Sequence, residues 1–509
     1  MGLSIRIRIR HRDIWVAKVF IHTLFRSPFF CTWVLYPGSP LKAGPLASSF
    51  SSSLLSFLPF SSLLRLFLCT PPSPSPSLPN PLRVNTPQLS QAAQAPPISG
   101  TEFYLLIRNT FRMAPPNTID AGLAHRRVAT APASADKPII ERNYQLPEFT
   151  IKEIRECIPA HCFERSGLRG LTHVAIDLTY MSLLFLAATQ IDKLPHPLLR
   201  YLAWPVYWVL QGIVGTGLWV LAHECGHQSF STSKTLNNTV GWVLHSCMLV
   251  PYHSWRISHS KHHKATGHMT KDQVFVPKTR TQVGLPPKAV IEKEDDIETS
   301  HLEEEAPIVT LFWMLIQFLF GWPAYLFMNA SGQNYGRWTS HFHTWSPIFE
   351  PRNFSDVIFS DVGVLLTLGG ITYAALQTSF LTVAKYYIVP YLFVNFWLVL
   401  ITFLQHTDPK MPHYREGTWN FQRGALCTVD RSFGKFLDVM FHGIVHTHVA
   451  HHLFSQMPFY HAEEATYHLK KLLGPHYIYD DTPIAVACWR SFRECRFVED
   501  EGDVVFYKK

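Results

Sequence analysis

Between residues 201 and 222 the chain carries no Asp, Glu, Lys or Arg, and the same holds between 308 and 328. A third stretch, 362–405, is broken only by Lys385. A membrane-crossing helix needs about 20 predominantly apolar residues, so each run is long enough, and the third is long enough for two helices with a turn at 377–379. Residues 171–191 form another candidate, interrupted by Asp177. A soluble chain would have to bury all of these runs as core helices. Composition argues against that: 16% of the 509 residues are charged, against about 25% in ordinary soluble domains. The fold class expected is therefore an all-α integral membrane protein, with about four transmembrane helices plus interfacial or re-entrant ones. Residues 241–252 are too few to cross and belong to the second kind.

The remaining segments have a different character. Residues 1–112 contain two acids, Asp13 and Glu102, with Ser- and Pro-rich tracts and alternating arginines from Arg6 to Arg12. Such a segment reads as a targeting peptide or as translated upstream sequence preceding a start at Met113. The second reading is the preferred one, and N-terminal sequencing of the natural product tests it. Residues 113–143 read as a disordered cytosolic tail, and 144–509 as one membrane domain. Within it the acidic run 292–305 reads as a solvated loop, and 406–509 as a water-facing region. The nine cysteines include no CxxC pair, which excludes a disulfide scaffold and suits a reducing compartment. The formal charge of +8 fits an anionic membrane surface or an acidic partner and gives no sign of nucleic acid binding.

Twenty-seven histidines are the second unusual feature. Eight fall in three clusters: His223-Glu-Cys-Gly-His227, His259-Ser-Lys-His262-His263 and His448-Val-Ala-His451-His452. On a helix, residues three and four apart share a face, so each cluster aims two or three imidazoles at one region. Neutral imidazole suits Fe, Zn, Cu or Ni. Eight histidines exceed the four ligands of one tetrahedral site, which points to two metals. The first cluster also matches the HExxH pattern of zinc proteases, but that reading leaves the other clusters unexplained. A metal transporter would want polar residues along its spans, and these runs have almost none.

The three boxes, with stretches such as Leu249-Val-Pro-Tyr-His-Ser-Trp255, Ile401-Thr-Phe-Leu-Gln-His-Thr-Asp-Pro409 and Thr447-His-Val-Ala-His-His-Leu-Phe454, resemble the membrane-bound fatty acid desaturases. The fungal oleate Δ12 group is the nearest. The resemblance covers 144 to the C-terminus. It implies a histidine-ligated di-iron centre in a cytosolic cap, O2 as co-substrate, and introduction of a Δ12 double bond into an oleoyl phospholipid to give linoleate. It adds His406, at the end of the last apolar run, as a ninth ligand beside His223, His227, His259, His262, His263, His448, His451 and His452. Glu224 is then a partner orienting an imidazole, or else a solvated helix residue. The resemblance implies cytochrome b5 with NADH-cytochrome b5 reductase as electron source. No His-Pro-Gly-Gly heme motif occurs in the sequence, so the donor is expected to be separate. Basic residues Lys261, Lys264, Lys271, Lys278, Arg280, Lys410, Arg415 and Arg423 either dock that donor or form ordinary solvated loops. A multi-pass location in the endoplasmic reticulum membrane, with the boxes facing the cytosol, follows from the same resemblance. A homodimer is compatible with it. An ω3 or bifunctional Δ12/ω3 desaturase and a fatty acid hydroxylase share the scaffold and stay open.

Parity adds a constraint. Three apolar runs separate box two from box three, and an odd number of crossings would put the boxes on opposite sides. One run therefore does not span. Gly321-Trp-Pro323 is expected to break the run 308–328, leaving it interfacial or as a re-entrant wedge.

Overall fold

The computed structural model describes residues 144–286 and 306–509. The readings for 1–112 and 113–143 and the acidic run 292–305 lie outside the described residues. Within them the chain is helical apart from short bridges and one antiparallel ribbon, in which β1 (Pro412–Tyr414) pairs with β2 (Val504–Phe506).

Helix α1 (Ile151–Glu156) starts at a capping box formed by Thr150 and Glu153, which satisfies two otherwise unpaired donors. Helix α2 (Gly167–Ala188) is capped by the Ser166 side chain. Helix α3 (Pro197–His227) opens with proline in its first turn, where the missing N–H costs nothing. Its 31 residues extend about 46 Å at 1.5 Å per residue. That exceeds a hydrocarbon core of about 30 Å, so the last turns carry box one past the apolar layer. Helices α4 (Lys234–Cys247) and α5 (Tyr252–Ala265) follow, then α6 (Pro307–Met328), α7 (Phe354–Gln377) and α8 (Val389–His406). Helix α8 is entered through Phe380–Val383 and a π-helical turn, Ala384–Ile388. The turn expected at 377–379 is present: α7 ends at Gln377 and Ser379 caps the next helix.

Among the described residues five helices are long and apolar enough to cross a membrane: Gly167–Lys193, Pro197–His227, Pro307–Met328, Pro351–Gln377 and Phe380–His406. Their outer faces are exposed rather than packed into a core. Leu183 is 58% exposed, Leu311 51% and Leu365 64%. Contiguous apolar surface of this kind needs lipid or a partner to cover it. Helix α3 is the central element. Gly212 and Gly215 lie where α8 presses Phe393 and Val394 against it, and a Cβ on either would come under 3 Å from those side chains. Small residues let membrane helices approach this closely.

One expectation is overturned. Gly321-Trp-Pro323 does not break its helix, since α6 runs without interruption through Pro323. Proline removes the hydrogen bond to the carbonyl four residues earlier, here that of Leu319. Asn395 on α8 supplies the replacement, its Nδ2 donating to Leu319 O at 3.3 Å. The same device serves Pro390. The freed carbonyls of Lys385 and Tyr386 accept from Trp208 Nε1 at 2.8 Å and Tyr207 Oη at 3.4 Å, both on α3. Unpaired backbone groups are costly in lipid, so these prolines become cross-helix ties. Helices α6 and α8 run in the same direction: Phe318 meets Phe396 and Phe403, and Gly321 lies beside Val399.

Beyond α8 the chain folds into a polar lobe. It contains α9 (His448–Leu453), α10 (Phe459–Leu473), α11 (Ile484–Glu494) and the ribbon. Most of the basic residues proposed for docking are engaged within the chain. Arg280 pairs with Glu499, Lys271 with Glu416, and Lys261 donates to Ile348 O. Arg415 and Arg423 bond to backbone carbonyls. Lys264 and Lys410 are exposed.

Candidate metal centre

Box one occupies the last turns of α3, box two lies on α5 and box three is the short helix α9. His406 is the last residue of α8. That helix stops where Thr407 turns extended (φ −139°, ψ 93°), and Asp408, the residue before Pro409, is itself disfavoured in the α region, so the helix does not resume. Box three is set by Asp430, whose Oδ1 accepts from Val449 N at 2.9 Å at the start of α9, while the Tyr477 hydroxyl bonds the other oxygen.

All nine imidazoles converge, in two groups. His223, His227, His259, His263 and His451 bring five ring nitrogens within 4.8 Å of one another, and His262, His406 and His452 bring three. His448 joins the second group, its Nε2 lying 3.1 Å from those of His406 and His452. In the first group His223 Nε2 is 3.0 Å from His259 Nε2 and 3.1 Å from His227 Nε2. Eight of the nine are buried and His259 nearly so.

Such packing has a chemical meaning. A neutral imidazole has one donor and one acceptor nitrogen, so several Nε2 atoms facing a common point cannot satisfy one another. His451 Nε2, buried in the first group, has no hydrogen-bond partner at all. Burial, reinforced by neighbouring imidazoles, holds His259, His263, His448, His451 and His452 well below the ordinary histidine range. They are neutral at pH 7, with lone pairs available. Two clusters of neutral, inward-facing nitrogens fit two divalent transition-metal ions.

A fatty acid desaturase family model matches residues 202–483. The Delta(12) fatty acid desaturase of Mortierella alpina is 83% identical over 402 residues, 78% of this chain and all of that protein. Its counterpart in Mortierella isabellina is 82% identical over the same shares. The oleate hydroxylase of Claviceps purpurea is 41% identical over 71% of this chain and 81% of its own. The chain belongs to the fatty acid desaturase family.

In this desaturase the boxes themselves are nearly free of carboxylates, yet two carboxylates support them. Glu224 is 1% exposed. Its Oε1 lies 3.4 Å from His223 Nδ1 and 3.8 Å from His451 Nδ1, and its Oε2 accepts from Ser229 Oγ at 2.7 Å. The solvated-helix reading of Glu224 is thereby excluded: it sits between imidazoles of boxes one and three. Asp272 is the second, and nothing in the sequence marks it. His262 Nδ1 donates to its Oδ1 at 2.6 Å, and Gly267 N donates to its Oδ2 at 2.9 Å. The bond fixes the tautomer and turns His262 Nε2 towards the second group. Thr266 is a third support, its Oγ1 accepting from His452 Nδ1 at 3.1 Å while donating to His262 O. No periodicity marks Asp272, because its contact closes a ten-residue turn after box two. Asp272→Asn is expected to lower activity and metal content by roughly 10- to 100-fold, the usual effect of losing such a partner. Metal analysis alongside product assay checks this.

The desaturase also holds a largely apolar cavity beside the histidines. Its walls include Trp219, Trp322, Leu398, Val399 and Ile444, with the imidazoles of His223, His259, His262, His406 and His448 on the same surface. A second, more polar opening is bordered by Arg256, Ser260, Lys264 and Gln456, and reaches His227 and His259.

Proposed function

We propose that this chain is a Δ12 desaturase that converts the oleoyl chain of a membrane phospholipid to a linoleoyl chain. The observation that carries the reading is the apolar cavity that five of the nine clustered histidines line on one side, in a chain 83% identical to a Δ12 desaturase. His223, His227, His259, His263 and His451 would hold one iron, and His262, His406, His448 and His452 a second. Two irons held there supply the redox chemistry by which O2, the co-substrate, takes electrons from the acyl chain and from an external donor. The protein's part is positioning and exclusion. Trp219, Trp322 and the α8 aliphatic side chains give an alkyl chain a dry wall and keep water from the reacting methylenes. Asp272 keeps the His262 ring proton on the outer nitrogen, so that the inner one binds metal, and Glu224 places a carboxyl beside the outer nitrogens of His223 and His451.

Electrons come from cytochrome b5, itself reduced by NADH-cytochrome b5 reductase. The polar opening supports this, since exposed Lys264 and half-buried Arg256 border a short path to His227 and His259 and suit an acidic heme edge. The protein resides in the endoplasmic reticulum membrane with the histidines towards the cytosol. Helices α2, α3, α7 and α8 cross, and α6 lies in the bilayer as a wedge. His406 rests against His262, with ring centroids 4.7 Å apart, and that requires an even number of crossings between them. Reporters placed before and after α6 are expected on the same side. Opposite sides would refute the four-span arrangement.

Expression of the full chain, and of residues 113–509, in a yeast that makes oleate but little linoleate tests the activity. New linoleate is the expected product. A hydroxylated product would favour the chemistry named for the Claviceps relative, and an ω3 product the regiochemical alternative. No change in lipids, with zinc in the purified protein, would refute the proposal.

A further inference from the structure

A second group of metal-binding side chains lies outside the nine histidines. His161, Cys162, His461 and Glu464 each offer one ligand atom, all within 4.8 Å of one another. They come from two elements. His161 and Cys162 lie on a 3-10 turn, Ala160–Phe163, which Pro159 initiates. His461 and Glu464 stand three apart in the first turns of α10, hence on one face. His161 Nε2 is 2.9 Å from Glu464 Oε2 and 3.7 Å from Cys162 Sγ. The His161 and His461 rings meet edge to face at 5.6 Å.

A surface ion pair explains only two of these residues. His161 and Glu464 are about half exposed, at 52% and 45%, and would contact each other without further partners. It leaves unexplained why a fully buried thiol and a second imidazole share the spot. Bond lengths of about 2.0–2.3 Å put neighbouring donors of a tetrahedral zinc site roughly 3.3–3.8 Å apart. The separations here bracket that range, so side-chain rotations of under about 1 Å close the shell.

We propose that His161, Cys162, His461 and Glu464 form a zinc site separate from the histidine centre, tying the 3-10 turn to α10. One thiolate, two imidazoles and one carboxylate are a donor set that zinc accepts, and four protein ligands leave no open position, as in structural sites. Cys162 loses its proton to solvent on binding, with no change of oxidation state. With the proton on, burial and the Glu464 charge push the thiol up to about 11, an opposition that a cation at this position reverses. The consequence is mechanical. Cys162 packs in one core with Ile154, Ile158, Val449, Ala450 and Ala462. The zinc therefore clamps the chain entering α2 against the back of the box-three helix.

The test uses the full-length iron-loaded protein in detergent, titrated with Zn2+ or Co2+ alone. Expected are a zinc equivalent beyond the irons, a rise in Tm with Zn2+, and a thiolate-to-Co2+ charge-transfer band. The nine-imidazole centre has no sulfur donor, so the band reports Cys162. Cys162→Ser should lose the band and the Tm rise while retaining linoleate formation. His461→Asn and Glu464→Gln, at less buried positions, should weaken Zn2+ binding and shift the band, and they serve if Cys162→Ser fails to fold. The proposal is overturned by a wild-type protein without the band, by its persistence in Cys162→Ser, or by surface variants that bind zinc as the wild type does. Loss of linoleate formation in every protein, with the band intact, would instead count against the proposed activity alone.

Discussion

Replacing His406 with alanine is expected to abolish linoleate formation and to lower bound iron, leaving the fold largely in place. The side chain ends α8 and is 5% exposed. Its Nε2 lies 3.1 Å from His448 Nε2, and its ring centroid lies 5.0 Å from that of His452. Removing it leaves the second group with three imidazoles from two short stretches and none from the membrane helix. Loss of an outer hydrogen-bond partner costs roughly 10- to 100-fold in such centres, and loss of a ligand should exceed that. The measurements are the fatty acid profile in yeast and the iron-to-protein ratio of the purified variant, with circular dichroism as the check on folding. Retention of both activity and iron would remove His406 from the centre.

Arg431→Ala is expected to give the largest loss of stability. Arg431 is 1% exposed, among the largest wholly buried side chains of the described residues. Its Nη2 bonds Asp408 Oδ2 at 2.8 Å, its Nη1 bonds Asp480, and its Nε donates to Leu404 O at 3.1 Å. Leu404 O is among the last carbonyls of α8, which have no partner within the helix. Asp408 stands two residues beyond His406. The guanidinium thus fastens the end of the helix that presents His406 to the polar lobe. Arg490 contacts both acids as well, at 25% exposure. Two cations balance two anions, and deleting the buried one leaves an uncompensated negative charge. Breaking a buried pair in this way costs about 3–5 kcal/mol. Thermal unfolding in detergent reads the loss. Arg431→Lys should recover only part, because an ammonium cannot reproduce the two-armed contact to Asp408 and Asp480. Wild-type stability in Arg431→Ala would show that Arg490 alone suffices.

How much of the centre was legible depended on the range of the contact. Within a box, spacing sufficed: His223 and His227, or His259 and His263, are four apart and must share a helix face. The allocation between the two groups was not legible. Box two gives His259 and His263 to the first group and His262 to the second; box three gives His451 to the first and His448 and His452 to the second. Adjacent helical residues point about 100° apart, so a box ending in two histidines serves two centres. Which nitrogen goes where depends on how α3, α5, α8 and α9 cross. The break expected at Pro323 failed for a related reason. Pro323 does free a carbonyl of its helix, but Asn395, far along the chain, donates to it and the helix continues.

The sequence by itself determined that this chain is a membrane protein, that its apolar runs are helices and that its histidines come in boxes. Each of these follows from local composition and period, since hydrophobic length and the i, i+4 repeat need no partner to be read. It also carried the resemblance to the desaturase family, which the comparisons bear out. Only the tertiary structure decided that Asp272 turns an imidazole inward, that Glu224 lies between imidazoles of boxes one and three, that Arg431 fastens α8 to the lobe, and that an apolar cavity adjoins the histidines. It alone brought Cys162 to His461. These are contacts between segments distant in the chain, fixed by helix crossing and burial. A buried carboxylate or thiol acquires its role from the neighbours that desolvate it, and those neighbours exist only once the chain has folded.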